Sequence, residues 1–361
     1  MKKTLIAVAA LAATGAFAQV SVYGRLDAGW AQTKTTTNGV STKANGVESH
    51  NSASSMWGIQ GSEDLGGGLK ATFKLEQDIY TANGNTGASG AGGGATNAAG
   101  FNRTSLLGLT GGFGSVAFGR DYVPTFKLAA ATDINSQSRI TTVNTAAVVG
   151  STRPELIHYS TPNLSGFQAN LAYGNQDESV SNATGKTNVK VTNLTATYMN
   201  GPLMVGVGTG RVEQKAAGAA ATTGTAFVAF TAADKVTQNM VAGSYDFGVV
   251  RLVGNVIMGK ATNAGTALGS FAELKSREIN IGGVVPMGKV TLRAQIGTNQ
   301  VEVTGASEKW DGNDFVVGAE YALSAKTAAF FKTGTYGKGS GINAALDTKS
   351  TSTAVGLRTV F

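Results

Sequence analysis

The sequence predicts an all-β fold, one antiparallel sheet running from end to end of the chain, and three observations predict it. Apolar and polar residues alternate strictly over segment after segment, the two-residue period of a strand with one oily and one wet face. Pro162, Pro202 and Pro286 fall at short turns or strand ends, Pro154 at a strand start and Pro124 in a loop, so a hydrogen-bonded ladder is nowhere interrupted. Charged residues make up 14% of the 361 residues and glycines number 50, against about 25% charge and about 7% glycine in an average soluble domain.

The first element is not part of the sheet. Lys2 and Lys3, the apolar run Leu5 to Ala13 and the Ala16-Phe17-Ala18 cleavage pattern stand in the order of an export signal, residues 1–18, which leaves one domain, residues 19–361. Past that signal no run of 18 apolar residues occurs, which excludes helical membrane spans. The absence of cysteine excludes a disulfide scaffold and fits an envelope protein that does without them. The net charge of +7 is spread along the chain, and no nucleic-acid partner is expected.

The strands follow. In the first, Val20, Val22, Leu26, Ala28 and Trp30 share one parity, and Ser21, Tyr23, Arg25 and Asp27 the other. Sixteen such segments start near Gln19, Ser54, Gly68, Asn102, Phe113, Pro154, Gly166, Asn188, Pro202, Val236, Val249, Ala272, Lys289, Trp310, Lys326 and Lys349. The one from Asn188 changes parity between Val191 and Leu194, which reads as a bulge. Connections alternate short and long. The long ones are Lys34–Ala53, Tyr80–Phe101, Tyr122–Thr152, Gln176–Thr187, Lys215–Lys235, Asn263–Phe271, Thr304–Lys309 and Gly339–Thr348.

Polarity then decides which sheet this is. Strands of about ten residues, an even strand number, short turns at one end and long loops at the other match a transmembrane 16-stranded up-and-down barrel of the outer membrane. In hydrocarbon every backbone N–H and C=O needs an internal partner, and a closed sheet has no unpaired edge. The apolar parity then faces lipid, and the polar parity surrounds a lumen too wide for side chains to fill. A water-filled hole is the expected function. A soluble β protein would instead bury the apolar parity. Trp30, Trp57, Tyr159, Tyr173, Tyr198, Tyr245, Tyr321 and Phe361 read as interfacial girdles.

Several stretches resemble the general diffusion porins of Gram-negative bacteria of the β-proteobacterial type: Val20 to Gly29, Trp57 to Ala71, Phe113 to Arg120, His158 to Phe167, and the ending Val355 to Phe361 with its terminal aromatic. The resemblance covers the chain after the signal. It implies a homotrimer in the outer membrane, in contact with its lipid and lipopolysaccharide, assembled by the barrel assembly machinery through Phe361. It also implies that the third long loop folds inward to narrow the pore, so that basic wall residues face acids on that loop. No cofactor, metal or catalytic group is implied.

That third loop, Tyr122–Thr152, is the longest, and Lys127 to Ala131 allows a short helical turn within Thr125–Thr132. Asp133 is the candidate loop acid, or a helix cap. Arg103 matches a family wall arginine, whereas Met56 and Gln60 stand where members commonly carry bases. By alternation Arg25, Lys70, Lys74, Arg251, Arg293 and Lys332 face inward with Asp27, Glu76, Asp78, Asp246 and Glu320, an excess of bases that predicts a weak anion preference. Arg120 shares the outward parity of Val116 and Phe118 and is expected at the rim or a subunit contact. Gly206, Gly208, Gly210 and Gly318 are read as inward positions left empty.

Enzyme signals are weak. Gly185-Lys186-Thr187 lacks the strand-to-helix setting of a phosphate loop, and His50 and His158 have no metal-ligand spacing around them. The function expected is passive diffusion of ions and small hydrophilic solutes. A solute-selective channel and a non-conducting surface or adhesive barrel are the alternatives.

Overall fold

The computed structural model describes residues 19–37, 39–86, 100–143, 155–179, 186–215, 223–225, 228–230, 235–266, 269–304, 309–336 and 348–361. Residues 1–18, read above as an export signal, the glycine-rich stretch 87–99 and residues 144–154, which include the end of the third long connection, lie outside them.

The strands are β1 (Gln19–Thr37), β2 (Val40–Ser49), β3 (Met56–Gly66), β4 (Leu69–Asp78), β5 (Thr104–Gly111), β6 (Gly114–Arg120), β7 (Glu155–Ser160), β8 (Phe167–Ser179), β9 (Lys186–Asn200), β10 (Leu203–Lys215), β11 (Thr223–Thr225), β12 (Val228–Phe230), β13 (Lys235–Asp246), β14 (Arg251–Thr266), β15 (Gly269–Met287), β16 (Val290–Val303), β17 (Lys309–Ala322), β18 (Thr327–Tyr336) and β19 (Thr348–Val360). Among the described residues one helix, α1 (Pro124–Ala131), interrupts them. Seventeen strands form one antiparallel sheet, and β11 pairs with β12 alone. Setting aside β2, which pairs only with the upper part of β1, sixteen strands close the barrel. These are the sixteen segments read from the sequence.

Closure happens at β1. Its lower part pairs with β3 from Gln19↔Ser62 to Arg25↔Met56, and its other edge pairs with β19 from Arg25↔Val360 upward. Phe361 completes the seam: its N–H donates to the Gly24 carbonyl and the Gly24 N–H donates back, at 3.0 and 3.1 Å. A Cβ on Gly24 would lie 2.4 Å from the Phe361 ring, so glycine is required for that approach.

The barrel is inverted relative to a soluble protein. Val22, Leu107, Phe118, Ile157, Val207, Ile281, Ile296 and Leu357 are exposed on the outside. Asp27, Asp78, Arg103, Asn193, Asn255, Asn280, Gln295 and Lys332 are buried within. On β15 the outward apolar run from Ile279 to Met287 covers roughly 21 Å at a ~3.4 Å rise and ~40° tilt, most of the ~25 Å apolar band of such barrels. Aromatic pairs mark the turn end, Phe167 on Tyr198 and Tyr245 on Phe247, with centroids 4.4 and 4.5 Å apart.

Three readings change. The register of β9 on β8 is unbroken from Ser179↔Lys186 to Phe167↔Tyr198, so there is no bulge. Val191 points inward like Asn193 and Thr195, and it is apolar because the interior there is filled by α1. Asn263–Phe271 is not an open loop, since β14 and β15 stay paired to Thr266↔Gly269. Lys34–Ala53 begins as the β1–β2 hairpin, and its last residues turn into the barrel.

Candidate functional site

The third loop enters the lumen after β6 and is held against the inner wall. At eight residues α1 is too short to be stable alone, and its own sequence offers no side-chain N-cap. Pro124 occupies its first turn, where a missing N–H costs nothing. The wall supplies the rest. Asn193 of β9 accepts the Thr125 N–H at 2.9 Å and donates to Thr125 Oγ1 at 2.7 Å. At the other end Arg251 of β14 reaches the Ala131 carbonyl at 3.4 Å, a cation at the negative end of the helix. Phe126, Leu128 and Ala129 pack with Val191, Val212, Val236, Met240 and Ile257.

Gly206, Gly208 and Gly210 of β10 are not empty positions, as the sequence reading had them. A Cβ at Gly206 would lie 2.7 Å from Leu128, and one at Gly208 would lie 2.9 Å from Thr125. The glycines make room for the helix. At Gly318 a Cβ would instead meet the Phe331 backbone and the Lys332 stem, at 3.2 and 3.5 Å.

Beyond α1 the loop continues along β14–β18. Asn255 donates to Thr132 Oγ1, Asn135 donates to Gln295, and the Arg293 guanidinium donates to the Ile134 carbonyl at 2.8 Å. Asp133, the candidate loop acid, is buried. Its oxygens accept the N–H groups of Asn135 and Gln137 and the Thr141 hydroxyl, at 2.7–2.9 Å. It shapes the loop rather than terminating α1. Burial pushes its carboxyl up, against the pull of Lys332. Lys332 is itself buried and donates to Ser138 Oγ at 2.6 Å.

A second segment also fills the interior. Residues 49–55, between β2 and β3, are buried throughout. Asp27 holds them, accepting the N–H groups of Asn51, Ser52 and Ala53 at 2.8, 2.7 and 3.0 Å. They also bond the third loop, where the Arg139 N–H meets the His50 carbonyl at 2.8 Å. Nothing in the alternation pattern marks this.

The opening that is left is bounded by charges. Arg103 points inward, but it is spent on Asp78, on Glu76 at 3.7 Å, and on the Tyr122 ring. Arg25 donates to the Ser54 carbonyl at 2.9 Å. Lys74 pairs with Glu76 at 2.9 Å, and Lys127 of α1 with Asp121 at 2.6 Å. Glu320 accepts from two arginines, Arg293 at 2.9 Å and Arg358 at 2.8 Å. Lys70 and Asp246 lie exposed near the short turns, and Arg120 folds back onto the Asn102 carbonyl at 3.0 Å. Sequence reading passed over Arg358, Lys127 and Asp121. Arg358 was legible, because Val355 and Leu357 are outward and alternation turns Arg358 inward. Lys127 depends on the docking of α1. Below that helix the lumen widens into a bay of about 630 Å³ lined by Lys127, Leu128, His158, Asn170, Thr195 and Arg251.

A closed sheet with an oily exterior, a wet interior and a loop that narrows it defines a transmembrane diffusion channel. The chain belongs to the Gram-negative porin family, whose match spans residues 4–341. It is a general porin of the outer membrane, passing ions and small hydrophilic solutes by passive diffusion. It is 33% identical over 304 residues to outer membrane porin protein 32 of Delftia acidovorans, covering 80% of this chain and 77% of that protein. Major outer membrane protein P.IB of Neisseria gonorrhoeae is 28% identical over 374 residues, with both chains fully covered. The anion-selective porin from Comamonas acidovorans superposes with a TM-score of 0.71 at 25% identity, covering 96% of this chain and all of the other.

Proposed function

We propose that this porin passes solutes without a chemical step, with a weak preference for anions set by Arg25, Lys74, Lys127, Arg293 and Arg358. One observation carries the preference: in four ion pairs at the opening the cation is the more exposed partner, whereas Arg103 and Glu76 are equally buried and in Arg139–Glu48, where the third loop meets the end of β2, the acid is the more exposed. Side-chain exposure is 42% against 8% for Lys74 and Glu76, and 57% against 8% for Lys127 and Asp121. It is 20% and 21% for Arg293 and Arg358 against 11% for Glu320. A passing ion therefore meets positive charge first, at distances shorter than the screening length of the salt. Arg103 and Asp27 position the wall and the inward segment, and Arg251 and Asp133 position the third loop. The anion selectivity of the Comamonas porin agrees with this sign.

The same reading includes removal of residues 1–18 on export, assembly through the Phe361 terminus by the barrel machinery, and a homotrimer set in lipid and lipopolysaccharide. Planar-bilayer recording of the detergent-purified protein tests it. Conductance should rise in triplet steps, and the zero-current voltage in a salt gradient should carry the sign of anion flow. Clear cation selectivity would overturn the preference, and single unit steps would overturn the trimer.

A further inference from the structure

One part of the inner wall gathers oxygen atoms that diffusion does not use. On β15–β17 the register sets two rows side by side, Asn280–Gly297–Asp314 and, nearer the long loops, Glu278–Asn299–Gly312. Neighbours within a row stand about 5 Å apart at Cβ. Thr142 of the third loop closes over them. A Cβ built on Gly297 would lie 2.5 Å from Asn280 Oδ1, 3.0 Å from Thr142 Cβ and 3.5 Å from Thr142 Oγ1. The glycine keeps that space open.

Both amides are held with their nitrogens turned away from it. Asn280 Nδ2 donates to Glu278 Oε1 and, at 3.0 Å, to Asn255 Oδ1, and Asn299 Nδ2 donates to Asp314 Oδ2 at 2.7 Å. The two amide oxygens are fixed by this, and with Thr142 Oγ1 they take no hydrogen bond among the described residues. Asn280, Asn299 and Thr142 are nonetheless 0%, 3% and 2% exposed. Buried oxygens left in this way cost free energy until something pairs with them. The carboxylates beside them, Glu278 and Asp314, are buried too. The cations of β15 and β16 stand elsewhere, Lys275 and Arg277 on the outer face and Arg293 on Glu320.

We propose that these groups hold a calcium ion inside the barrel, and that the ion ties the third loop to the wall at Thr142. Carboxylate, amide and hydroxyl oxygens are the ligands of a hard divalent cation. Glu278, Asp314, Asn280, Asn299 and Thr142 supply most of the about six to eight oxygens that calcium takes, and water completes the shell. Magnesium demands a near-ideal octahedron and gives up its water reluctantly, so ligands set by sheet register suit calcium better. A lone water, with two protons to donate, would leave acceptors over. The site needs only the docked loop and the wall, and it is independent of ion preference.

The protein, purified in detergent free of lipopolysaccharide and stripped with EGTA, is dialysed against radioactive calcium at fixed ionic strength with magnesium as competitor, and melted with and without each ion. Wild type should take up one calcium per chain, keep it against a tenfold excess of magnesium, and melt higher with calcium than with equal magnesium. Glu278→Gln and Asp314→Asn should each weaken uptake at least tenfold, and Gly297→Ala, whose methyl group enters the cradle, should weaken it as well. Glu273→Gln, which removes an acid from the outer face, should bind as wild type does. Heat-modifiable migration shows that each variant folds, and the calcium-dependent melting of wild type needs no variant. The proposal is overturned if wild type takes up no calcium or melts alike in both ions, if magnesium displaces calcium at equal concentration, if either carboxylate variant keeps wild-type uptake, or if Glu273→Gln loses as much as they do.

Discussion

Glu320 carries two arginines, so the cluster Arg293–Glu320–Arg358 has a net charge of +1, and Arg358→Gln takes it to zero. A passing ion at about 6 Å in a water-like dielectric feels about 0.7 kcal/mol from one charge, or about 0.4 kcal/mol after screening over a Debye length of about 10 Å at 0.1 M salt. The anion loses that energy and the cation gains it, so their permeability ratio should shift by about 0.8 kcal/mol, about fourfold. Glu320→Gln raises the cluster to +2 and should shift the ratio by a similar factor the other way. The assay is the zero-current voltage in a tenfold salt gradient, with single-channel conductance recorded alongside to show that the passage stays open. If the two variants leave the ratio unchanged, or move it in the same direction, the cluster does not face the ion path and the charge reasoning fails.

Other parts of the interior give separate expectations. Asp27→Ala strips the acceptor from three buried N–H groups, each costing about 1–3 kcal/mol when left unpaired; the melting temperature should fall and current noise should rise, and a variant as stable and as quiet as wild type would contradict the pinning of residues 49–55. Gly206→Val puts atoms where Leu128 stands, 2.7 Å from the added Cβ. Overpacking of this kind costs about 1–3 kcal/mol, and with α1 pushed toward the axis the conductance should drop; an unchanged conductance would mean the helix does not rest on that wall. Asp133 has its carboxyl raised by burial, so the folded protein holds that proton more firmly than the unfolded chain. Its stabilising contribution is then full below the ordinary carboxylate value of about 4 and is lost as pH rises through the raised one. The melting temperature of wild type relative to Asp133→Asn should therefore decline from acid toward neutral pH, and a flat difference would refute it.

Most of the barrel was legible along the chain because strand alternation is a local property. Each outward Val, Leu or Ile needs only its own neighbours to declare its side, so strand starts, the even strand number and the inverted polarity follow from residue order. The exceptions are instructive. The Val191 region imitates a bulge because its inward face is apolar, and that face is apolar only because Leu128 and Phe126 arrive there from a loop more than sixty positions earlier. Gly206 and Gly208 look like vacancies for the same reason.

By itself the sequence determined the crossing elements, which face meets lipid, and which parity carries the charges of the interior, since all of these depend on alternation and on the bilayer's demand that every backbone polar group be paired. Tertiary structure alone decided which of those charges remain available. Asp27 and Asp133 turn to backbone N–H groups, Arg103 is neutralised by Asp78 and Glu76, and Arg358 joins Arg293 on one carboxylate. It also decided that α1 exists, because a helix of eight residues takes both its caps from strands distant in the chain. The groups that cap α1 lie 68 and 120 residues from it, and Asp27, Arg103 and Glu320 find partners 24 to 38 residues away on other strands and segments; closure of the sheet brings these together, and no local pattern encodes them.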